Sequence, residues 1–441
     1  MHLKKIAAFG AAAALLFTAH VPACAAGFAV YEWDSWGVAL ADAMMFSDSP
    51  SVIGFNPAGI TQFDANGSVA FGATCITPVG TAHFYRNGKQ VATSDNTISP
   101  CVAPYAFFAK QISDSAWFGL GLYPRFGLAS KFPSDFPGRF NNYLADFKTL
   151  SVAPTIALKI SPSLSLSFGG DLMWTDLELG RAIGWTSKDP KPAWAPFSSY
   201  ESHMNLHGKS FGTGWNVGLN WQASDKLSMA AVYRSKIKQT ISHATTTFTQ
   251  PQTNFGPVGV GGETFGRGTV TLPDSWTFGL GWKFDEKTRV EFDAIYTRWS
   301  SYNSLDITFD TFFPLLPALG PGALNYTVVS PKNWKDQWRF QLGVEHRMNS
   351  HWTLGAGVAW DDCPSPDQFS DFIVPVGSRT TYSLGAQYVN KGLKLSFSAG
   401  YMDIEDKPIS SAGGPLGDPD FTCISRSCYA TIFGLACQID M

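Results

Sequence analysis

From Ser151 to Ile160 every second side chain is oily. Val152, Pro154, Ile156, Leu158 and Ile160 alternate with Ser151, Ala153, Thr155, Ala157 and Lys159. After Ser161-Pro162 the pattern resumes, with Leu164, Leu166, Phe168 and Leu172 against Ser163, Ser165, Ser167 and Asp171. A period of two puts alternate residues on opposite faces of a strand. Two such strands joined by a tight turn make a hairpin. Repeated along an exported chain, the pattern specifies a barrel that turns its oily face to lipid and the other to water or ligand.

Export is written at the start. Lys4 and Lys5 precede the apolar run from Ile6 to Phe17, and Ala23-Cys24-Ala25 supplies the small residues of a cleavage site. The expected divisions are a signal peptide over 1–25, a plug over 26–66 and a barrel over 67–441. A rival reading makes Cys24 a lipoprotein acylation site, which Pro22 fits poorly. The exported part has no run of 18 apolar residues of the kind a membrane helix needs, whereas a closed barrel spans without one. A net charge of -3 with no basic cluster argues against nucleic-acid binding. Six cysteines follow the signal. Oxidising surroundings permit pairing: Cys423 with Cys428 is the first candidate, and Cys75 with Cys101 across the first hairpin the second.

Fourteen alternating stretches are expected strands: 67–79, 100–111, 115–128, 143–160, 163–179, 208–223, 226–243, 265–284, 287–309, 333–348, 351–363, 377–390, 392–405 and 428–440. Tight turns near Ser113-Asp114, Ser161-Pro162, Ser224-Asp225, Asp285-Glu286, Asn349-Ser350 and Asn390-Lys391 alternate with longer connections. Those run about 80–99, 129–142, 186–207, 244–264, 310–332, 364–376 and 406–427. Short turns at one end and long loops at the other are the order of an outer-membrane barrel. The fold class is therefore all-β, a 14-stranded antiparallel transmembrane barrel.

Charge assigns the faces. Arg289, Glu291 and Asp293 share one parity, as do Lys335, Gln337, Arg339, Gln341 and Glu345. A Lys or Arg facing mid-membrane lipid costs ~2–4 kcal/mol, so these sets point into the lumen. Trp299, Trp334 and Trp352, near strand ends, suit the interfacial girdles. The segment before the first strand is small-residue-rich and apolar, and holds Phe55-Asn56-Pro57-Ala58-Gly59. A compact oily segment there can fill a lumen that side chains alone leave open.

Read in order, these pieces resemble the FadL/TodX family of outer-membrane transporters for long-chain fatty acids and other hydrophobic compounds. Ala26-Gly27-Phe28 resembles the family's mature terminus, and Asn56-Pro57-Ala58 its plug motif. Gly127-Leu128-Ala129, Gly138-Arg139-Phe140, Tyr233-Arg234-Ser235-Lys236, Leu272-Pro273-Asp274, Trp334-Lys335-Asp336 and Asp361-Asp362 follow in the family's order. The resemblance implies a plug in the lumen. It also implies passive transport of an oily ligand through an internal pocket, with plug movement and sideways exit beside a kinked third strand. Gly119, Gly121 and Pro124 then form the lateral gate, or the glycines make room for the plug. One departure is the chain end, Gln438-Ile439-Asp440-Met441, where the family commonly has an aromatic residue.

The expected ligand contacts are cations. Lys335 matches a family position on the lumen side, where a carboxylate can pair with it. Arg181 resembles another such position, although its parity matches Leu177 and Leu179 and would turn it outward unless a bulge intervenes. Arg139, beside Phe136 and Phe140, is a guide for anions or a solvated loop charge; Arg339 is a deeper lumen cation or a structural one. No enzyme, metal or cofactor is expected. Glu201, His203 and His207 lack the helix that would align them, and Gly256 to Gly268 lacks a strand-to-helix setting. The expected partners are a hydrophobic ligand, most simply a fatty acid, and outer-membrane lipid around a monomer. Uptake of aromatic hydrocarbons, a general porin and a lipid hydrolase are the alternatives.

Overall fold

The computed structural model describes residues 27–63, 66–184, 201–249, 252–253, 256–257, 262–311, 324–375, 377–410 and 421–441. Fourteen wall strands lie among them. They are β1 (Gly67–Arg86), β2 (Lys89–Asp95 and Cys101–Ser113), β3 (Ala116–Tyr123 and Gly127–Lys131), β4 (Leu144–Ser161) and β5 (Leu164–Gly184). Then come β6 (Glu201–Gln222), β7 (Leu227–Arg234 and Ile237–Thr249), β8 (Gly262–Leu272 and Ser275–Lys283), β9 (Thr288–Thr297 and Ser304–Thr311) and β10 (Leu324–Pro331 and Gln337–Arg347). The last are β11 (Trp352–Asp361), β12 (Arg379–Asn390), β13 (Leu393–Ile404 and Lys407–Ile409) and β14 (Phe421–Asp440). Each pairs antiparallel with the next. β14 closes on β1 from Ser68↔Asp440 to Arg86↔Phe421, so the sheet has no edge. Closure satisfies the backbone where lipid offers no hydrogen bonds.

The turns follow local chemistry. At the β8–β9 turn, the Asp285 carboxylate accepts from the backbone of Lys287 (2.8 Å) and Thr288 (2.7 Å). Asn349 does the same for His351 and Trp352. The connection expected over 80–99 is instead mostly strand. β1 runs on to Arg86 and returns as β2 through Asn87-Gly88, whose φ angles of 48° and 74° suit a tight hairpin turn. The parts of the loops expected over 186–207, 244–264, 310–332 and 406–427 that fall in the undescribed stretches lie outside the described residues.

Alternation sorts the faces. Outward positions such as Phe168, Phe278, Leu342, Leu384 and Phe433 are exposed to the bilayer, while Asp171, Glu291, Asp293 and Arg339 are buried inside. Residues 27–63 fill the lumen. They include α1 (Ser35–Ala39), capped by the Asp34 carboxylate on Trp36 and Gly37, α2 (Val52–Phe55) and a 3₁₀ turn over Pro57–Gln62. The wall makes room by backbone approach: a Cβ at Gly357 would sit 2.3 Å from the Leu40 carbonyl carbon.

The inward charges hold this plug. Arg339 bridges the plug's Asp42 (2.7 Å) and wall residue Asp361 (3.3 Å), and Arg379 joins Asp361 at 2.7 Å. Glu291 accepts from the Met45 N–H, Arg289 donates to the Phe46 carbonyl and Lys394 pairs with Asp48. A buried charge needs such a partner, so the lumen set and the plug satisfy each other.

None of the six cysteines is joined in a disulfide among the described residues. Cys423 and Cys428 both lie on β14, five residues apart and thus roughly 16 Å by strand rise, beyond disulfide reach. Cys101 is opposite Ile76 rather than Cys75, which puts Cys75 on the other face of the sheet. Alkylation of the denatured, unreduced protein is expected to modify all six; a mass showing only four modified would reveal a disulfide. Arg339→Met leaves Asp42 buried without its cation, while Asp361 keeps Arg379, a cost of ~3–5 kcal/mol. Faster hydrogen exchange around Leu40–Ala43, in a barrel still running as a folded band, is the expected result. Unchanged exchange would show that the network does not hold the plug.

Candidate functional site

The break in β3 organises the site. Pro124 has no N–H to donate and ends the first half of the strand. The β2–β3 ladder stops at Ala106↔Leu122, and the second half of β3, Gly127–Lys131, pairs in the sheet only with β4. From Val102 to Tyr105 no ladder forms on that side among the described residues, so the pairing of the wall is interrupted there. Tyr105, Phe107 and Tyr123 pack beside this interruption, all buried, with the Phe107 and Tyr123 rings 5.2 Å apart. A Cβ at Gly119 would press to 2.7 Å from Ile53 of α2, and one at Gly121 to 2.9 Å from Tyr123. The glycines therefore make room for the plug and the rings, while the interruption itself lies at Pro124.

Gly27–Val30, the first described segment, fills the inner side of the break. Val30 N–H donates to the Arg125 carbonyl (2.9 Å) and Gly127 N–H to the Phe28 carbonyl (2.8 Å), around a bridge between Ala29 and Phe126. Phe28 sits in a box of rings: Trp299 at 4.7 Å, Tyr302 at 5.3 Å, Phe147 at 5.5 Å and Trp334 at 5.6 Å. Gly27 has φ +57°, and a Cβ there would lie 2.6 Å from both Trp299 and Trp334. Trp299 and Trp334 are accordingly buried, contrary to the girdle expectation, whereas Trp352 is exposed. Two connections are tied together to hold the box: Ser300 N–H and Tyr296 hydroxyl donate to Asp336 at 2.9 and 3.1 Å. Burial pushes the Asp336 carboxyl up, yet these bonds and nearby Arg298 outweigh it and hold the group below its ordinary value.

Gly27–Val30 separates two cavities. The first is lined by Gly27, Val79, Leu128, Ala129, Phe132 and Val374 among others; Asn96 and Ser425 supply polar atoms, and no Lys or Arg is among its described lining residues. Above it the outer loops close over Phe84, Phe132, Phe136 and Phe372, with Phe132 and Phe136 stacked at 4.7 Å. The second cavity, of about 40 Å³, lies on the plug side, among Tyr31, Trp33, Phe55, Phe126, Arg125 and Arg234. Arg125 is paired with Asp171.

The expected ligand cations are elsewhere. Lys335 is exposed in a five-residue break between the halves of β10, where its N–H donates to the Pro364 carbonyl. The break interrupts the alternation that pointed it inward; the buried cation of the stretch is Lys332, paired with Asp371. Arg339 is committed to Asp42 and Asp361 and lies 4.6 Å over the Tyr31 ring. Arg139 is buried rather than solvated, packed over Phe140 with its guanidinium on the Asp135 and Phe136 carbonyls. The β5–β6 register runs unbroken from Leu164↔Trp221 to Gly184↔Glu201. Arg181 therefore keeps the lumen parity of the buried Leu177 and Leu179 without any bulge, at the outer rim, and lines neither cavity. Asn56, at the corner before Pro57, donates to the Met45 carbonyl and to the Asn220 side chain, both 3.3 Å, which ties plug to wall. Arg234 was missed as a site residue, although parity finds it: Ser228, Ala230, Val232 and Arg234 share the inward face of β7.

The same fold occurs in known proteins. A long-chain fatty acid transport protein of Salmonella typhi is 25% identical over 402 residues, covering 86% of this chain and 88% of its own. The Escherichia coli K12 protein of that description is 24% identical over 425 residues, covering 90% and 91%. Among solved structures, a Pseudomonas aeruginosa FadL homologue superposes with TM-score 0.77 at 17% identity, covering 94% of this chain and 99% of that one. The Pseudomonas putida toluene transporter TodX does so at 0.69 and 17%, with coverage of 94% and 99%. Residues 15–435 match the family model described as outer membrane protein transport protein (OMPP1/FadL/TodX). The chain belongs to that family of outer-membrane transport proteins.

Proposed function

We propose that this protein carries long-chain fatty acids passively across the bacterial outer membrane, acting as a monomer. The observation that supports this most directly is the coincidence of three features at one place. An apolar cavity, the Gly27–Val30 segment and an interruption of the wall ladder all meet at Pro124. An alkyl chain gains ~25 cal/mol per Å² on leaving water, so it favours an oily cavity over a wet pore. The first cavity has about 30 Å³ of free space, so an alkyl chain enters only as Phe132, Ile373 and Val374 move aside. Withdrawal of Gly27–Val30 then joins the two cavities, and the interruption beside Tyr105 and Tyr123 leads sideways into the bilayer. In this reading Gly119, Gly121 and Pro124 serve the exit, the glycines by seating the plug and Pro124 by breaking the ladder.

A second reading, uptake of monoaromatic hydrocarbons, draws support from the absence of Lys or Arg among the described residues lining the first cavity. The two differ in test. Ala129→Trp fills the first cavity and is expected to cut oleate uptake into intact cells by about tenfold, from an overpacking penalty of ~1–3 kcal/mol. Toluene uptake measured beside it assigns the substrate class. Unchanged oleate uptake, with normal outer-membrane levels of the variant, would overturn the fatty-acid route through this cavity.

A further inference from the structure

Arg234 ends the first half of β7 and reaches across the lumen. It is buried and makes no ion pair of its own among the described residues; the nearby carboxylate that acts on it, Asp171, is already paired with Arg125. Its guanidinium is spent on neutral groups. One nitrogen donates to the carbonyls of Ile53 (3.0 Å) and Gly54 (2.6 Å), within the single turn of α2. The other donates to the Tyr123 hydroxyl (3.3 Å), on the residue just before the β3 break. One side chain thus joins the wall, the plug and the edge of the break. It also lines the second cavity, with Trp33, Phe55 and Phe126 beside it.

A buried cation without a counter-ion is costly, and neutral carbonyls compensate it only in part. A carboxylate matches the guanidinium fork in geometry and forms hydrogen bonds roughly twice as strong as neutral ones. We propose that Arg234 is an exchangeable latch: the carboxylate of a fatty acid entering the second cavity takes the guanidinium from Ile53 and Gly54 and so releases the plug. This rests on the fatty-acid reading above and adds the group that senses the cargo. The cavity has room for a head group rather than a chain, so the alkyl tail trails past Phe126 and Ala29. Arg125 is already paired with Asp171, which leaves Arg234 as the cation that donates to the carboxylate.

The test is hydrogen exchange of the detergent-solubilised full-length protein, with palmitate and hexadecanol as probes and binding of each read by tryptophan fluorescence. In the wild type, palmitate is expected to speed exchange of Met45–Ile60 by about tenfold, the scale of one charge-assisted hydrogen bond, and hexadecanol to leave it unchanged. In Arg234→Gln the plug exchanges fast without ligand, palmitate adds nothing, and palmitate loses its binding advantage over hexadecanol. Arg234→Lys keeps the charge but cannot span both carbonyls and Tyr123. It is expected to retain the palmitate preference while raising basal exchange, and it serves if the glutamine variant does not fold. A palmitate response that survives in Arg234→Gln, with both probes binding, overturns the latch alone. Failure of the wild type to bind palmitate overturns the latch and the fatty-acid reading together.

Discussion

Everything in this molecule depends on backbone hydrogen bonding in a solvent that supplies none. A strand in hydrocarbon must pair on both sides, so the sheet closes from β1 to β14. The place where the β2–β3 ladder fails is therefore the most informative. At Pro124 the wall lets go of β2, and the chain's own Phe28–Val30 segment supplies the missing partners from inside. The break is tolerable because it is covered from the lumen, and the cover comes from the segment whose withdrawal the proposed route requires.

Closure with fourteen strands has a second consequence. The lumen is too wide for wall side chains to fill, and the inward parity of strands β9 and β10 carries charges that need partners at that depth. The plug answers both demands. Its apolar residues fill the space, and its carbonyls, N–H groups and acids neutralise Arg289, Glu291, Arg339 and Lys394. The same satisfaction removes Arg339 from the set of cations free to meet a ligand. Arg234 differs because its partners are neutral carbonyls, which an anion can displace.

The places where reading the chain went astray share one cause. Lys335, Trp299 and Trp334 lie where the strands are interrupted, at 298–303 and 332–336, and parity cannot be carried across an interruption. Lys335 was placed inward by counting through such a break. The two tryptophans were placed at the membrane surface because they sit near strand ends, yet both turn inward around Phe28. Arg181 shows the opposite error: apolar Leu177 and Leu179 looked like a slip toward lipid, but they face an interior that is itself oily. Inside a transporter of oily molecules, hydrophobicity no longer tells outside from inside.

The alternation and the tight turns determine by themselves that this chain closes into a fourteen-stranded barrel, because period and turn chemistry are local properties. The Asn56-Pro57-Ala58 corner and Pro124 were legible for the same reason. Which cation meets which acid, which rings hold Phe28 and which arginine touches the plug were decided only in three dimensions. Those contacts join residues far apart in the chain, such as Ile53 with Arg234 and Asp42 with Arg339. They depend on how the plug seats against the wall, which no periodicity records.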